Sequence, residues 1–194
     1  MIELHDEPDG ATPLTPEERA QLIPSHVTLR RELNELEQQN ILEANTWVFG
    51  RKRNRMKEAF GRRMHRRMFG KVWRWAGNYR TTNKNIGVDR IQIQQRLYET
   101  FDNFRYWIEH KTYPPDELAV RFHHSLVFIH PFPDGNGRWS RLMADILAVQ
   151  LGQPRLTWGS SALRTEDETR QAYIKALKAA DDHDFTALIA FARS

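Results

Sequence analysis

Apolar residues recur along this chain three and four positions apart, the period of helices that each bury one face. Leu29, Leu33, Leu36 and Ile41 predict a helix over about 28–46, with Gly50 as its stop. Met56, Phe60, Met64, Met68 and Phe69 mark one face of a second helix within 51–74. Leu97, Phe101, Phe104 and Ile108 predict a third over 94–110, and Ala119, Phe122, Leu126 and Ile129 a fourth over 116–129. Pro114 and Pro115 precede that fourth helix and Asp116 is placed to cap it. Pro131 disfavours helical geometry in the residue before it, so the helix should end near His130. Leu142, Ile146, Leu147 and Leu151 form the next stripe, ending at Gly152 with Pro154 beyond. Thr15-Pro16-Glu17-Glu18 and Thr165-Glu166-Asp167-Glu168 both read as capping boxes. The first opens a short helix interrupted by Pro24, and the second a helix with Ala172, Leu177 and Ala180 as candidate buried positions; a last amphipathic helix covers about 184–192. One stretch departs from this period. Ile86, Val88, Ile91 and Ile93 alternate with polar residues around Gly87 and Asp89, a period-two signal for a small hairpin. The pattern predicts an all-α fold carrying one small β-hairpin.

With 194 residues the chain is long enough for one domain with a proper core. Cysteine is absent, which removes disulfides and thiolate chemistry; no apolar run approaches a bilayer span, and the start lacks a signal-peptide pattern. A cytoplasmic location is the simplest expectation. The formal net charge of +4 and pI near 9.5 raise the question of nucleic acid. The positive charge is concentrated in 51–74, where Glu58 is the sole acid, but the same segment carries the Met/Phe stripe. A solvated basic face on a half-buried helix accounts for it more simply, and such a face could also receive an acidic protein partner.

The chemistry is concentrated in His130-Pro131-Phe132-Pro133-Asp134-Gly135-Asn136-Gly137-Arg138-Trp139-Ser140-Arg141, between two predicted helices. Gly135 and Gly137 allow a turn and close approach of a ligand to the backbone. Amides running into a helix N-terminus form an anion-binding concavity. Arg138 and Arg141, three apart, can reach the same side of that anion. Asp134 would repel phosphate unless a divalent cation lay between them, which points to Mg2+. Asn136 can donate to a developing charge, and His130, ordinarily titrating near pH 6.5, can accept a proton near neutrality. Phe132, between two prolines, reads as a wedge anchoring the loop. A satisfied core histidine beside an ordinary turn would explain His130 or the glycines taken singly, but not two arginines in phase with both.

These residues resemble the Fic/DOC family motif H-x-F-x-[D/E]-G-N-G-R-x-x-R at every defined position. Trp75-Ala76-Gly77-Asn78-Tyr79-Arg80 likewise resembles the family's W-A-G-x-[Y/F]-R segment, with Trp75 and Tyr79 expected to be packing residues. The likeness covers about 62–192, and the first 50 residues resemble a subgroup-specific extension of bacterial proteins named mobile mystery protein B. The resemblance implies a Fic-type helical bundle over 51–194, preceded by a helical extension over 1–50. It also implies transfer of AMP from ATP to a Ser, Thr or Tyr hydroxyl of a target protein. His130 would then be the base, Asp134 the Mg2+ ligand, Gly135, Asn136 and Gly137 the phosphate cradle with Asn136 near the α-phosphate, and Arg138 and Arg141 the partners of the β- and γ-phosphates. Ile86, Gly87 and Val88 would belong to a flap that holds the target backbone, and Tyr173 would lie near the adenine.

Many members of the family are restrained by a glutamate in the pattern [S/T]-x-x-x-E-[G/N], which pairs with the second motif arginine. Thr28 with Glu32 is the partial match here, since Leu33 stands where Gly or Asn is expected. A Thr cap with a surface Glu explains the run equally well. A separate small antitoxin could supply the glutamate instead. Other Fic-type phosphotransfer, AMP removal assisted by Glu32, and a basic nucleic-acid-binding protein are the alternative functions. A metal hydrolase using His123, His124, His130 and Asp134 is disfavoured, because adjacent helical histidines do not converge easily and His124 reads as structural support. Target, oligomeric state and nucleotide preference are not encoded in any motif.

Overall fold

Thr15 and Glu18 close the expected capping box: the Thr15 hydroxyl accepts from Glu18 N at 3.3 Å and the Glu18 carboxylate accepts from Thr15 N at 2.8 Å. They open α1 (Pro16–Arg19) in a computed structural model that describes residues 12–25, 27, 29–50, 57–162 and 165–194. Beyond α1 the chain pairs briefly with residues 72–74, through Ile23 N to Val72 O at 2.8 Å and Arg74 N to Gln21 O at 3.0 Å. Then come α2 (Arg30–Phe49), α3 (Glu58–Phe69), α4 (Ile93–Glu109, entered through a 3-10 turn at Arg90–Gln92), α5 (Pro115–Ile129), α6 (Asn136–Gln150), α7 (Glu166–Asp181) and α8 (Thr186–Arg193).

Helix α5 lies at the centre, packed against α4, α6 and α8, while α3 rests on α2, α4 and α6. Phe101 and Phe104 of α4 meet Phe122 of α5, and Trp139 of α6 donates its indole N–H to Gly61 O of α3 at 2.9 Å. A methyl group at Gly61 would lie 3.0 Å from that same indole, so the glycine lets α3 and α6 approach. Helix α2 packs on α3 and α6, so the extension shares the core of the bundle. The division expected at 50/51 borders residues 51–56, which lie outside the described residues.

Three local expectations are corrected. The buried face of α2 is Leu33, Glu37, Asn40, Ala44 and Val48, whereas Leu29 and Leu36 are exposed. Two polar residues occupy the inward stripe, so hydrophobicity alone assigns the wrong phase. Pro114, not Asp116, is the cap residue of α5, and Asp116 accepts from Arg193 Nε at 2.7 Å, tying α5 to α8. The segment 81–89 forms no hairpin: among the described residues there is no strand. Its backbone carbonyls turn inward to a guanidinium instead of to a partner strand. Arg80, 3% exposed, donates from Nη1 to Thr82 O at 2.9 Å, from Nη2 to Val88 O, and from Nε to His130 O at 2.7 Å. One buried cation thus does the work of a ladder.

Candidate functional site

The loop between α5 and α6 is braced from inside. His130, the residue after α5, takes a left-handed conformation (φ 52°, ψ 60°) while its N–H still donates to Leu126 O at 3.2 Å. Pro131 then prevents the helix from continuing. Phe132 is fully buried, stacked on His65 (3.7 Å between centroids) and edge-on to Trp139, as a wedge should be. His65 holds the loop a second way. Gly77 N donates to its Nδ1 at 3.0 Å, which places the hydrogen on Nε2, and Nε2 donates to Asp134 O at 3.0 Å. Burial pushes its pKa down to about 3, so this link stays neutral.

Gly135 is left-handed at φ 77° and would place a methyl group 2.5 Å from the Phe69 ring. Gly137 is different: it lies in the first turn of α6, and a methyl there would meet only Arg141 Nη2, at 4.0 Å. The first amides of α6 have no carbonyl partner within the helix and present their hydrogens toward this open side. Asn136 also braces the loop from inside. It is 1% exposed, its Oδ1 accepts from Phe132 N at 2.9 Å and its Nδ2 donates to Phe132 O at 2.8 Å. A buried amide so engaged clamps the loop, and these two bonds leave the second hydrogen of Nδ2 unused.

Arg138 donates from Nη1 to Glu37 Oε2 at 2.6 Å and lies 3.5 Å from Asp134 through Nη2, with its guanidinium over the Phe69 ring. Burial works against that charge, but Glu37 and Asp134 outweigh it and hold the arginine protonated. Glu37 also accepts from the Trp73 indole at 2.7 Å. The acid of α2 that meets a motif arginine is therefore Glu37. Glu32 accepts from Leu29 N at 3.3 Å at the start of its own helix, and Thr28 lies outside the described residues. The partner is also Arg138, the first motif arginine. Arg141 donates from Nε to Gly137 O at 3.1 Å and lies over the Tyr173 ring. Tyr173 is thus placed beneath an arginine of the motif, its hydroxyl 2.9 Å from His123 Nε2.

Asp134 is partly exposed beside the Arg138 guanidinium. A single accessible carboxylate suits an Mg2+ ion that takes its other ligands from phosphates and water. No group of three His, Cys, Asp or Glu set to hold a metal occurs among the described residues. His124 is paired with Asp181 at 2.8 Å and His123 with Tyr173, so neither turns toward Asp134.

His130 is 6% exposed, and its Nε2 lies 2.8 Å from the hydroxyl of Thr12. The Val127 carbonyl favours a proton on the ring but lies outside hydrogen-bonding geometry for Nδ1. A hydrogen on Nδ1 leaves Nε2 to accept from Thr12. Burial pushes the pKa of the ring down to about 4, with Arg80 and Lys84 acting the same way against Val127 and Asp134. The expected flap covers this histidine. Val88 N donates to Ile129 O at 3.4 Å, Ile86 is exposed, and Gly87, at φ 94°, comes so close that a methyl would lie 2.6 Å from His130 Cβ.

Thr12, Glu37, His65 and Arg80 are the residues that motif spacing misses. His65 and Arg80 bound the stretch that resembles the family ahead of the motif, but no local pattern links either of them, Thr12 or Glu37 to the loop that they hold. In the basic stretch, Arg62 and Arg66 donate to Gly77 O and Ala76 O, Arg67 lies over Trp47, and Lys71 pairs with Glu43. Those charges brace the fold, which weakens the nucleic-acid alternative.

Residues 56–148 match the Fic/DOC family. The chain belongs to that family. It is 31% identical over 132 residues to the protein adenylyltransferase Fic of Nematostella vectensis, covering 66% of this chain and 29% of that protein. The protein adenylyltransferase fic-1 of Caenorhabditis elegans is 30% identical over 136 residues, covering 66% of this chain and 25% of that protein. Among solved structures, C. elegans Fic-1 superposes with a TM-score of 0.65 at 26% identity, over 91% of this chain and 52% of the other. The BepC protein of Bartonella tribocorum with bound AMPPNP gives 0.67 at 18% identity, over 92% and 97%, a likeness of fold. This Fic chain spans less than a third of the two curated relatives, so their whole activity is not transferred with the domain. The helical bundle is shared with these structures.

Proposed function

We propose that this chain is a protein adenylyltransferase that transfers AMP from ATP to a Ser, Thr or Tyr hydroxyl of a target protein. The observation that carries this reading is the contact between His130 Nε2 and an aliphatic hydroxyl, made by a neutral ring at the mouth of a glycine-bearing helix start. In the reaction, Nε2 takes the hydroxyl proton and the oxygen attacks the α-phosphorus. A new P–O bond forms, the bond to the β-phosphate oxygen breaks, and pyrophosphate leaves with that electron pair. The amides of Gly135 and Gly137 cradle the phosphates, and Arg138 and Arg141 neutralise their outer oxygens. Asp134 would hold Mg2+, which when bound would draw charge from the phosphates. Asn136 keeps the loop closed. Ile86, Gly87 and Val88 form the lip over which a target segment lies. The relatives named as adenylyltransferases support ATP as the co-substrate.

The acceptor is a protein, in keeping with the exposed lip, and an antitoxin that restrains the enzyme remains a partner to seek by co-purification. We place the reaction in the cytoplasm, where ATP is available to a chain with no cysteine; no helix among the described residues is long and apolar enough to cross a membrane. Incubation with labelled ATP, Mg2+ and cell lysate tests the reading. Labelled proteins should appear with the wild-type chain and vanish with His130→Ala; equal labelling by both would remove His130 as the base.

A further inference from the structure

The hydroxyl already seated on His130 belongs to the chain itself. Thr12 is 118 positions away in sequence and 8% exposed, with Oγ1 2.8 Å from Nε2. Its placement has several anchors. Pro13 restricts Thr12 to extended geometry. Thr12 and Leu14 are buried and Pro13 is exposed, the alternation of an extended segment laid across a surface. Lys84, on the flap, donates from Nζ to Pro13 O at 2.8 Å and pairs with Glu18, both side chains being buried. Glu18 in turn accepts from Thr82 Oγ1 at 3.3 Å, and its carbonyl accepts from the Trp75 indole at 3.2 Å. The flap therefore grips residues 12–18 from one side, and the bundle holds them from the other.

We propose that Thr12 is a cis-acting acceptor, the residue on which this chain adenylylates itself. The proposal rests on the adenylyl-transfer reading above. The Thr12 hydroxyl proton passes to His130 Nε2, and Oγ1 attacks the α-phosphorus of ATP. The Oγ1–P bond forms as the bond to the β-phosphate oxygen breaks, and pyrophosphate carries away that electron pair; the proton on His130 then returns to solvent. A phosphodiester on Thr12 no longer offers a hydroxyl to the ring, and the added adenylyl group is too bulky for the buried position that Thr12 occupies. The strap must then leave, which opens His130 to other hydroxyls. Until then, Thr12 competes with any target.

The test uses the full chain with Mg2+ and ATP labelled on the α-phosphate, first alone and then with cell lysate. Alone, the wild type should carry one adenylyl group on the peptide containing Thr12. Thr12→Val and His130→Ala should lose it, and Thr12→Ser should regain it. With lysate, Thr12→Val should label other proteins about 2- to 10-fold more than wild type in the initial rate, the range set by removing one competing hydrogen bond. Mixed with active enzyme, a size-distinguished His130→Ala chain should stay unlabelled, as delivery in cis requires. Label on Thr12→Val equal to wild type, or label at Thr12 of the inert chain, would overturn the proposal. Labelled lysate proteins with an unlabelled wild-type chain would overturn it too, while leaving the adenylyltransferase reading intact. No label on chain or lysate would instead sink that reading, and this inference with it.

Discussion

Arg138 donates to Glu37 at 2.6 Å, joining the first arginine of the motif to the buried face of α2 from 101 positions away. The guanidinium expected to meet phosphate is thus already matched by an acid of the extension, and an anion arriving at α6 has to compete with that acid. Glu37→Gln keeps an oxygen for the Trp73 indole but removes the charge. The variant should lose about 1–3 kcal/mol of stability, less than a fully buried pair would cost because Arg138 is partly exposed. It should also bind ATP more tightly. Melting curves with and without ATP and Mg2+ check both points: a lower Tm for the free variant, and a larger upward shift on adding nucleotide. A nucleotide shift no larger than wild type would mean that Glu37 only orients the arginine.

Gly135 and Gly137 should respond in opposite ways. Gly135→Ala forces a left-handed alanine into the Phe69 ring and should cost about 2–4 kcal/mol in denaturant unfolding. Gly137→Ala lies in the helical first turn of α6 with open space around the added methyl, and should gain roughly 0.5–1 kcal/mol. That methyl stands where phosphate would approach the amides, so nucleotide binding by calorimetry should weaken although the fold is firmer.

Arg80 ties the flap to the histidine through backbone carbonyls of Thr82, Val88 and His130. Arg80→Lys keeps the charge but cannot span three acceptors in fixed directions. A loss of about 2–4 kcal/mol is expected from the stranded carbonyls. Limited proteolysis should show new cleavage within 81–89 before the helices are attacked.

Three buried histidines make the fold sensitive to acid. His65 is held down to about 3 and His130 to about 4 by burial, and His123 is lowered for the same reason. In the unfolded chain each takes a proton near pH 6.5. Between there and about pH 4 the unfolded state binds more protons than the native state, so stability rises with pH across that window and falls as it is acidified. Each group contributes a slope of about 1.4 kcal/mol per pH unit where the two states differ by a full proton. Urea unfolding at pH 7 and pH 5 should show this loss, and His65→Gln should flatten it. The proton-accepting form of His130 persists across the same window while Thr12 covers the ring.

The helices were legible because each carries its own period and stop: the Thr15 and Thr165 capping boxes, Pro131 after His130, and Gly50 after α2. The motif was legible for the same reason, being contiguous across α5, its loop and α6. What escaped depends on partners remote in sequence. Glu37 and Asn40 look like surface residues until Arg138 and Trp73 are placed beside Glu37, which is why α2 was read out of phase. The alternation at 86–93 looks like a strand because Ile86, Val88, Ile91 and Ile93 are interleaved with polar residues there, although only Ile93 is buried in the core. Nothing nearby says that the inward carbonyls belong to Arg80. Asn136 has the right chemistry for a charge in the reaction, and no local pattern says that its amide also clamps Phe132 in the folded loop.

The most direct test of the central claim is to supply ATP labelled on the α-phosphate in one reaction and on the γ-phosphate in another, with Mg2+ and lysate. Adenylyl transfer through His130 predicts that the chain adds label to protein hydroxyls, above lysate alone, from the α-position only, and that His130→Ala adds none. Chain-dependent label arriving from the γ-position, or α-label undiminished in His130→Ala, would contradict it.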